Sequence, residues 1–411
     1  KTAILKAAKC KWPTAVRLER TLDSTVGREF FVIGTLYNEN PEKPSILNEI
    51  ELEYHLKKVT GPKDSYYSTT ENHWYLEDEH GRLELKFEHD SLNLITGMVM
   101  AVLGVELPNG LFFVKDWTLA GIPSAPKLPA QREDSWIVIA SDLQFNCAST
   151  SNSPLEFEMI KDCVLGNLAG FQDLPIEALV LCGNVLLEPE RTVQEGQKTR
   201  FGAVNYKYDT RHFELFDEGV CELIEANKHV ILIPGSTDPT NISLPQQPIH
   251  KNLLRKTLES KNEGLLHRTT NPAVFAINGI QFLATAGEAL RDAARHSNPT
   301  ISKEPLKLMN QLLEGRHLAP TAPDTLSKNF ILNSFLILGC YPFFETDPFV
   351  LAEGECPHVL LCGGQTHFQT GRISTNGPIV IMVPSFVKEH SVVLLNLKDF
   401  QFKIVRIDIT P

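Results

Sequence analysis

Four short segments carry residues whose type and placement could do chemistry: Ser141-Asp142-Leu143-Gln144, Gly183-Asn184, Gly235-Ser236-Thr237-Asp238 and Gly363-Gly364-Gln365-Thr366-His367. Each follows an apolar run, at 136–140, 178–182, 229–233 (with Pro234 between) and 358–362, with the hydrophobicity of a fully buried strand. In an α/β sheet, ligand groups collect where strands end at their carboxyl side, so the four segments predict one shared site. Carboxylates and imidazoles at such strand ends can hold divalent metals that activate water and clamp a phosphate.

The spacing resembles that of the calcineurin-like metallophosphoesterases, whose strand-end series reads D-x-H, G-D, G-N-H and G-H-x-H. Set against it, most ligands are replaced. Asp142 survives, but Gln144 stands where the series has histidine and Asn184 where it has the bridging aspartate. Ser236 and Thr237 stand where it has asparagine and histidine, followed by Asp238. The last segment has two registers: with Gly363 as the motif glycine, Gly364 and Thr366 replace both histidines, whereas starting from Gly364 keeps His367 beside Gln365. Two cations held close together without a bridging carboxylate repel each other uncompensated, so no tight binuclear centre, no catalytic residue and no cofactor is expected. Asp142 is then read as a cap or turn residue, and His317 and His367 as hydrogen-bonded structural histidines. Ser236 lacks a G-x-S-x-G elbow and is not read as a nucleophile.

The elements that must position these residues fall into two regions. With 411 residues, 42% hydrophobic and 22% charged, the chain is an ordinary globular one with length for two or three domains. From Arg28 to Thr118 the apolar runs are short and turn-bounded, at 30–34, 83–87, 97–107 and 111–114, which predicts a small β domain. A short helix is expected near 41–53 and a polar loop over 57–79. Three prolines within 121–130 mark a linker. Beyond it, buried strands alternate with amphipathic helices built on Phe157, Ile160, Val164 and Leu168 and on Phe213, Phe216, Val220 and Ile224, the pattern of an α/β domain. A third helix is expected over 305–314, with Leu306, Met309 and Leu313 on one face and Gly315 as its stop, and further strands at 273–277, 280–284, 379–383, 392–397 and 402–409.

The net charge of −11 has the wrong sign for a chain whose main grip is on phosphate backbones. The apolar run 330–344 is too short and interrupted to cross a bilayer, and the first 30 residues hold no apolar segment of signal type. Eight cysteines without C-x-x-C spacing are read as reduced core thiols of an intracellular protein.

Three stretches resemble the small, second (B-type) subunits of eukaryotic DNA polymerase delta. The first is Gly34-Thr35-Leu36 with Lys43-Pro44-Ser45-Ile46-Leu47-Asn48-Glu49-Ile50, similar to G-T-L … P-S-I-L-x-E-[VI]. The second is the 17-residue run 234–250, PGSTDPTNISLPQQPIH, similar to P-G-x-x-D-P-[TS]-N-x-x-L-P-Q-Q-P-[LI]-H. The third is 316–326, RHLAPTAPDTL, continued by Cys340-Tyr341-Pro342-Phe343 and Thr346-Asp347-Pro348-Phe349.

The resemblance implies an OB-fold domain over 28–120, joined by the Pro-rich linker 121–130 to an inactive phosphoesterase-like domain over 131–411, with 1–27 an N-terminal remnant and the family's usual N-terminal helical segment expected to be missing. Twelve residues, Ser327 to Leu338, interrupt the family pattern and are either a lineage-specific insertion or retained non-coding sequence. It further implies a non-catalytic scaffold that bridges the C-terminal metal-binding region of the polymerase delta catalytic subunit and a third subunit, meeting DNA only through the complex, in the nucleus, in replication and repair. Two alternatives stay open: a metal-dependent phosphodiesterase or nuclease, and an OB domain binding single-stranded DNA through Phe30, Phe31, Tyr37, Phe112, Phe113 and Trp117. The alternating placement of those aromatics favours core packing and a protein-binding OB domain.

Overall fold

A computed structural model of the chain describes residues 2–39, 73–88, 94–130, 132–148, 151–188, 190–192, 205–241, 244–322, 326, 349–372, 374 and 377–407. The described residues between 2 and 124, 289 and 322, and 349 and 356 form one compact unit, and those of 125–288 and 357–407 form another. The cut at 124/125 falls within the expected linker, which holds no helix or strand among its described residues. The region expected as one domain over 131–411 is divided, because its stretch from 289 onward groups with the N-terminal unit. The expected insertion at 327–338, the short helix near 41–53 and the motif residues 340–348 lie outside the described residues.

In the first unit, helix α1 (Thr2–Lys11) precedes five strands, β1 (Glu29–Glu39), β2 (His73–Glu77), β3 (Arg82–Phe87), β4 (Val99–Glu106) and β5 (Phe112–Thr118). They close into a barrel in the order β1-β2-β3-β5-β4, the arrangement expected of an OB fold. Closure rests on the length of β1, whose amino half pairs with β4 from Glu29↔Val105 to Thr35↔Val99 and whose carboxyl half pairs with β2 from Thr35↔Glu77 to Glu39↔His73. Strand β2 replaces part of the polar loop expected over 57–79. It buries only Leu76 fully, and ladders on both sides hold it as a strand.

Residues 1–27, expected as a remnant, carry α1, and its sequence explains why it docks. Ile4, Ala8 and Trp12 recur every four residues on one helical face and bury against Phe31, Ile33, Ala101 and Ala120 of the barrel. The Trp12 ring lies 5.8 Å from that of Phe31, and its Nε1 donates to Asp116 Oδ2 at 2.9 Å.

The second unit begins with β6 (Trp136–Ala140), α2 (Ser153–Leu165) and β7 (Ile176–Cys182), then the short pair β8 (Glu190–Thr192) and β9 (Asn205–Lys207). Next come α3 (Thr210–Glu225), β10 (His229–Ile233), α4 (Arg255–Glu259), β11 (Leu266–Arg268), β12 (Ala273–Ile277) and β13 (Ile280–Thr285). Helix α5 (Glu288–His296) then leads into the first unit, where α6 (Pro299–Ser302) and α7 (Pro305–Gly315) follow. The chain returns to the second unit with β14 (Val359–Gln365), β15 (Gln369–Arg372), β16 (Ile379–Pro384), α8 (Phe386–Glu389), β17 (Ser391–Asn396) and β18 (Phe402–Arg406), the last ending before the 409 expected.

Two mixed sheets result, ordered β11-β10-β7-β6-β17-β18 and β12-β13-β14-β16-β15. The twofold side-chain period sorts the first sheet's residues between two cores. Val138, Leu179, Leu181, Val230, Leu232, Val392 and Leu394 face outward against Phe157, Ile160 and Val164 of α2 and Phe216, Val220 and Leu223 of α3. Ile137, Ile139, Val180, Cys182, Ile231, Ile233, Val393 and Leu395 face inward and share one core with Phe282, Ala284, Leu361, Ile381 and Val383 of the second sheet.

Two local readings change. Helix α7 buries Leu308, Met309, Leu312 and Leu313, leaving Leu306 at its edge. Its left-handed stop is Arg316 (φ 56°), because Gly315 stays in the helix, where a Cβ would lie 2.3 Å from the Met98 methyl. The thiols also divide: Cys163, Cys182, Cys356 and Cys362 are buried, but Cys147 and Cys221 are half-buried and Cys10 is exposed.

If α1 is an integral part of the barrel, Trp12→Ala should destabilise the first unit by about 3–5 kcal/mol, as large-to-small core changes do. Urea unfolding followed by circular dichroism measures this, with Trp12→Phe keeping most of the packing and losing the bond to Asp116.

Candidate functional site

The carboxyl ends of β6, β7 and β10 in one sheet and β14 in the other bring the expected segments together within the second unit. Their turns are tight. Asp142 (φ 52°), Gln144 (φ 44°) and Asn184 (φ 51°) all occupy the left-handed region that non-glycine residues avoid. Gly235 cannot carry a side chain, since a Cβ there would lie 2.3 Å from the Asn184 nitrogen.

Asn184 is the hub of this cluster. Its Nδ2 donates to Asp142 Oδ1 at 2.7 Å, and its Oδ1 accepts from Thr237 N at 3.0 Å and Ser236 Oγ at 3.2 Å. Thr237 Oγ1 donates onward to Leu186 O at 2.7 Å. Asp142 and Asn184 are both buried. The side chain of Asp142 therefore serves neither as a helix cap nor as a turn acceptor, as sequence reading suggested, but receives an amide from the next strand end. Ser141 ties in the second sheet, donating to Cys182 O and accepting from Gly364 N, both at 2.8 Å.

Asp238 lies beside this hub and is buried, accepting from Gly235 N at 2.8 Å, Leu186 N at 2.9 Å and Val185 N at 3.2 Å. Burial pushes its carboxyl up to about 7, against the opposing pull of the three N–H donors. Glu288 Oε1 accepts from Ser236 N at 3.2 Å, and its Oε2 accepts from Asn271 Nδ2 at 3.1 Å. Asn271 also donates to Gln246 Oε1 at 2.8 Å, and Gln246 Nε2 reaches Gly235 O at 3.2 Å. The Pro-Gln-Gln-Pro stretch is thus packed through Gln246.

Two expected residues stand apart from the hub. Gln365, the last residue of β14, turns its amide back to Gly363 O at 2.8 Å. The His367 side chain is 73% exposed and pairs with Glu389. Sequence reading missed Asn271 and Glu288, which sit in no motif, and it missed a grouping of Cys147, Asp209 and His212 whose ligand atoms lie within 4.8 Å of one another.

As chemistry, one amide donor meets the Asp142 carboxylate, three backbone donors meet that of Asp238, and the hydroxyls of Ser236 and Thr237 turn to Asn184 Oδ1 and Leu186 O. The cluster clasps strand ends together.

Comparison with known proteins decides the family. A family model for the B subunits of DNA polymerases alpha and epsilon matches residues 137–370, and one for the OB-fold domain of the DNA polymerase delta subunit matches residues 1–117. The chain belongs to the B-subunit family of DNA polymerases. A DNA polymerase delta small subunit of Oryza sativa subsp. japonica is 30% identical over 97% of this chain and 88% of its own length. Proteins of the same name from Arabidopsis thaliana and Saccharomyces cerevisiae are 30% and 27% identical over 95% and 99% of this chain, and 84% and 86% of theirs. The barrel of the first unit is accordingly the OB-fold domain of this family, and α1 lies inside the matched region.

Two outcomes follow for the strand-end clasp. Asn184→Asp places a second carboxylate 2.7 Å from Asp142 Oδ1 and removes its donor, so stability should fall at neutral pH by about 2–4 kcal/mol and recover as acid protonates the pair. Asp238, raised above its unfolded value of 3.8 to about 7, holds its proton in the folded state where the unfolded chain has lost it. Its contribution is therefore fully present below pH 3.8 and is lost as pH rises through 7, by up to about 4 kcal/mol at roughly 1.4 kcal/mol per unit. Urea midpoints across that window should fall with rising pH, and more steeply than in Asp238→Asn.

Proposed function

We propose that this chain is a non-catalytic accessory subunit of a DNA polymerase delta complex, built on a calcineurin-like phosphoesterase architecture whose site no longer serves hydrolysis. One observation carries the reading: Asn184, at the position where that architecture places a bridging carboxylate, gives its amide to Asp142 and takes hydrogen bonds from Ser236 and Thr237. A neutral amide cannot offset the repulsion of two divalent cations, and its N–H2 offers a metal no lone pair. On this reading Asp142, Gln144, Asn184, Ser236, Thr237, Asp238, Gly364, Gln365 and His367 are vestigial phosphoesterase positions. The clasp leaves a rigid body suited to holding partners.

The names of the plant and yeast relatives support a polymerase delta catalytic subunit as the first partner. Within that assembly we assign this chain the bridge between the catalytic subunit's C-terminal metal-binding region and a third subunit, in the nucleus, in DNA replication and repair. An indirect relation to DNA fits the barrel, where Phe30 and Phe112 are buried against each other and Phe31 is buried beneath α1. Tyr37 and Tyr75 both face the guanidinium of Arg82, its carbon 4.9 Å from each ring. Rings engaged by the chain's own arginine are poor platforms for bases.

Co-expression with the C-terminal region of the catalytic subunit should yield an equimolar complex that co-elutes in size exclusion. Separate elution of two well-folded chains would count against the scaffold. Manganese-dependent phosphodiester hydrolysis abolished by Asp142→Ala would overturn the non-catalytic reading, and tight, strongly salt-dependent binding of oligonucleotides by the free chain would overturn the indirect relation to DNA.

A further inference from the structure

We propose that Cys147, Asp209 and His212 form a binding site for one borderline divalent cation of the zinc class, pinning the start of α3 to the loop that follows β6. Sulfur, imidazole nitrogen and carboxylate oxygen together suit Zn2+, which takes three protein ligands with a fourth position left to water. The three donor atoms lie within 4.8 Å of one another. Tetrahedral coordination at ordinary bond lengths needs separations of about 3.3–3.8 Å, so a contraction of about an ångström completes the site.

Both sides are held by their own hydrogen bonds. On one side Phe145 N donates to Val185 O at 2.7 Å, and Asn146 accepts from Ala148 N at 3.3 Å, bracketing Cys147. On the other, Asp209 caps α3 by accepting from Arg211 N at 3.0 Å, which sets His212 one turn along with its Nε2 3.9 Å from Asp209 Oδ2. Tyr208, just before the cap, reaches Thr237 O at 3.4 Å and so ties the site to the clasp. Cys147 is half-buried, and the side chains of Asp209 and His212 are 34% and 15% exposed, which leaves a path for an ion.

Asp209 already receives a cation, since Arg211 lays Nε on Oδ1 at 3.1 Å and Nη2 on Oδ2 at 2.5 Å. That guanidinium is 71% exposed and free to swing toward solvent. Binding then exchanges Arg211 for the metal at the carboxylate, forms a sulfur–metal bond at Cys147 and releases the thiol proton to solvent, with no change of oxidation state.

Titrating the purified full chain with Co2+ tests this. One equivalent should saturate a near-ultraviolet thiolate-to-cobalt charge-transfer band, and Zn2+ should abolish the band by displacement. Cys147→Ser should remove it and His212→Asn should weaken or remove it. Asp209→Asn, which keeps a good helix cap, should weaken it without lowering the melting temperature of the metal-free chain. Arg211→Gln should tighten binding, while Cys221→Ser and Asp142→Asn should leave the band unchanged. Absence of a saturable band, its survival in Cys147→Ser, or its loss in Asp142→Asn would overturn the proposal, the last by placing the metal at the strand ends.

Discussion

The constraint on which the second unit depends is that two sheets share one inner core. Because Ile139, Cys182 and Ile233 of one sheet and Leu361 and Val383 of the other point into the same apolar layer, the backbones leaving those strands must meet at one end, where main-chain groups run out of ladder partners and need others. Asn184 and Ser141 meet that need across strand ends, and Gly235 admits the approach. Three non-glycine residues in left-handed conformation cost of order 1–3 kcal/mol each. Such conformations persist only where the surroundings over-determine them, and the buried Asp142–Asn184 pair with its bond from half-buried Thr237 supplies that determination.

Legibility followed from how strongly an element's own residues specify it. Strands β6 and β10 begin and end where the apolar runs do, because strands buried on both faces leave no room for another period. Helix α3 was equally plain, with Phe213, Phe216, Val220 and Ile224 all buried. By contrast β2 owes its existence to β1 and β3 on either side, and a stretch with one fully buried residue signals little alone. Helix α1 hides for another reason. Its apolar face is the narrow file Ile4, Ala8 and Trp12, flanked by Lys6, Lys9 and Lys11, and only the barrel surface makes that file meaningful.

The site was legible as a place more than as a set of bonds. Strand ends could be found from hydrophobic runs, so the meeting of 142, 184 and 236–238 was predictable. The partners that complete it, Asn271 and Glu288, come from turns with no periodic signature and were not. Likewise the grouping of residues 289–322 with the N-terminal unit depends on contacts made after folding, whereas the linker prolines advertise the cut at 124/125 locally.

Residue type at a fixed geometry decides what that geometry can do. A carboxylate at 184 would face Asp142 across 2.7 Å, and a cation or a shared proton would be needed to hold the two together; an amide there converts repulsion into a hydrogen bond. Asp238 has a backbone role, and three N–H groups offset part of the cost of burying it. His367, with no metal to turn toward on the proposed reading, pairs at the surface with Glu389. On the proposed reading, the amide at 184 together with the other replaced positions leaves the strand-end polar groups directed at one another.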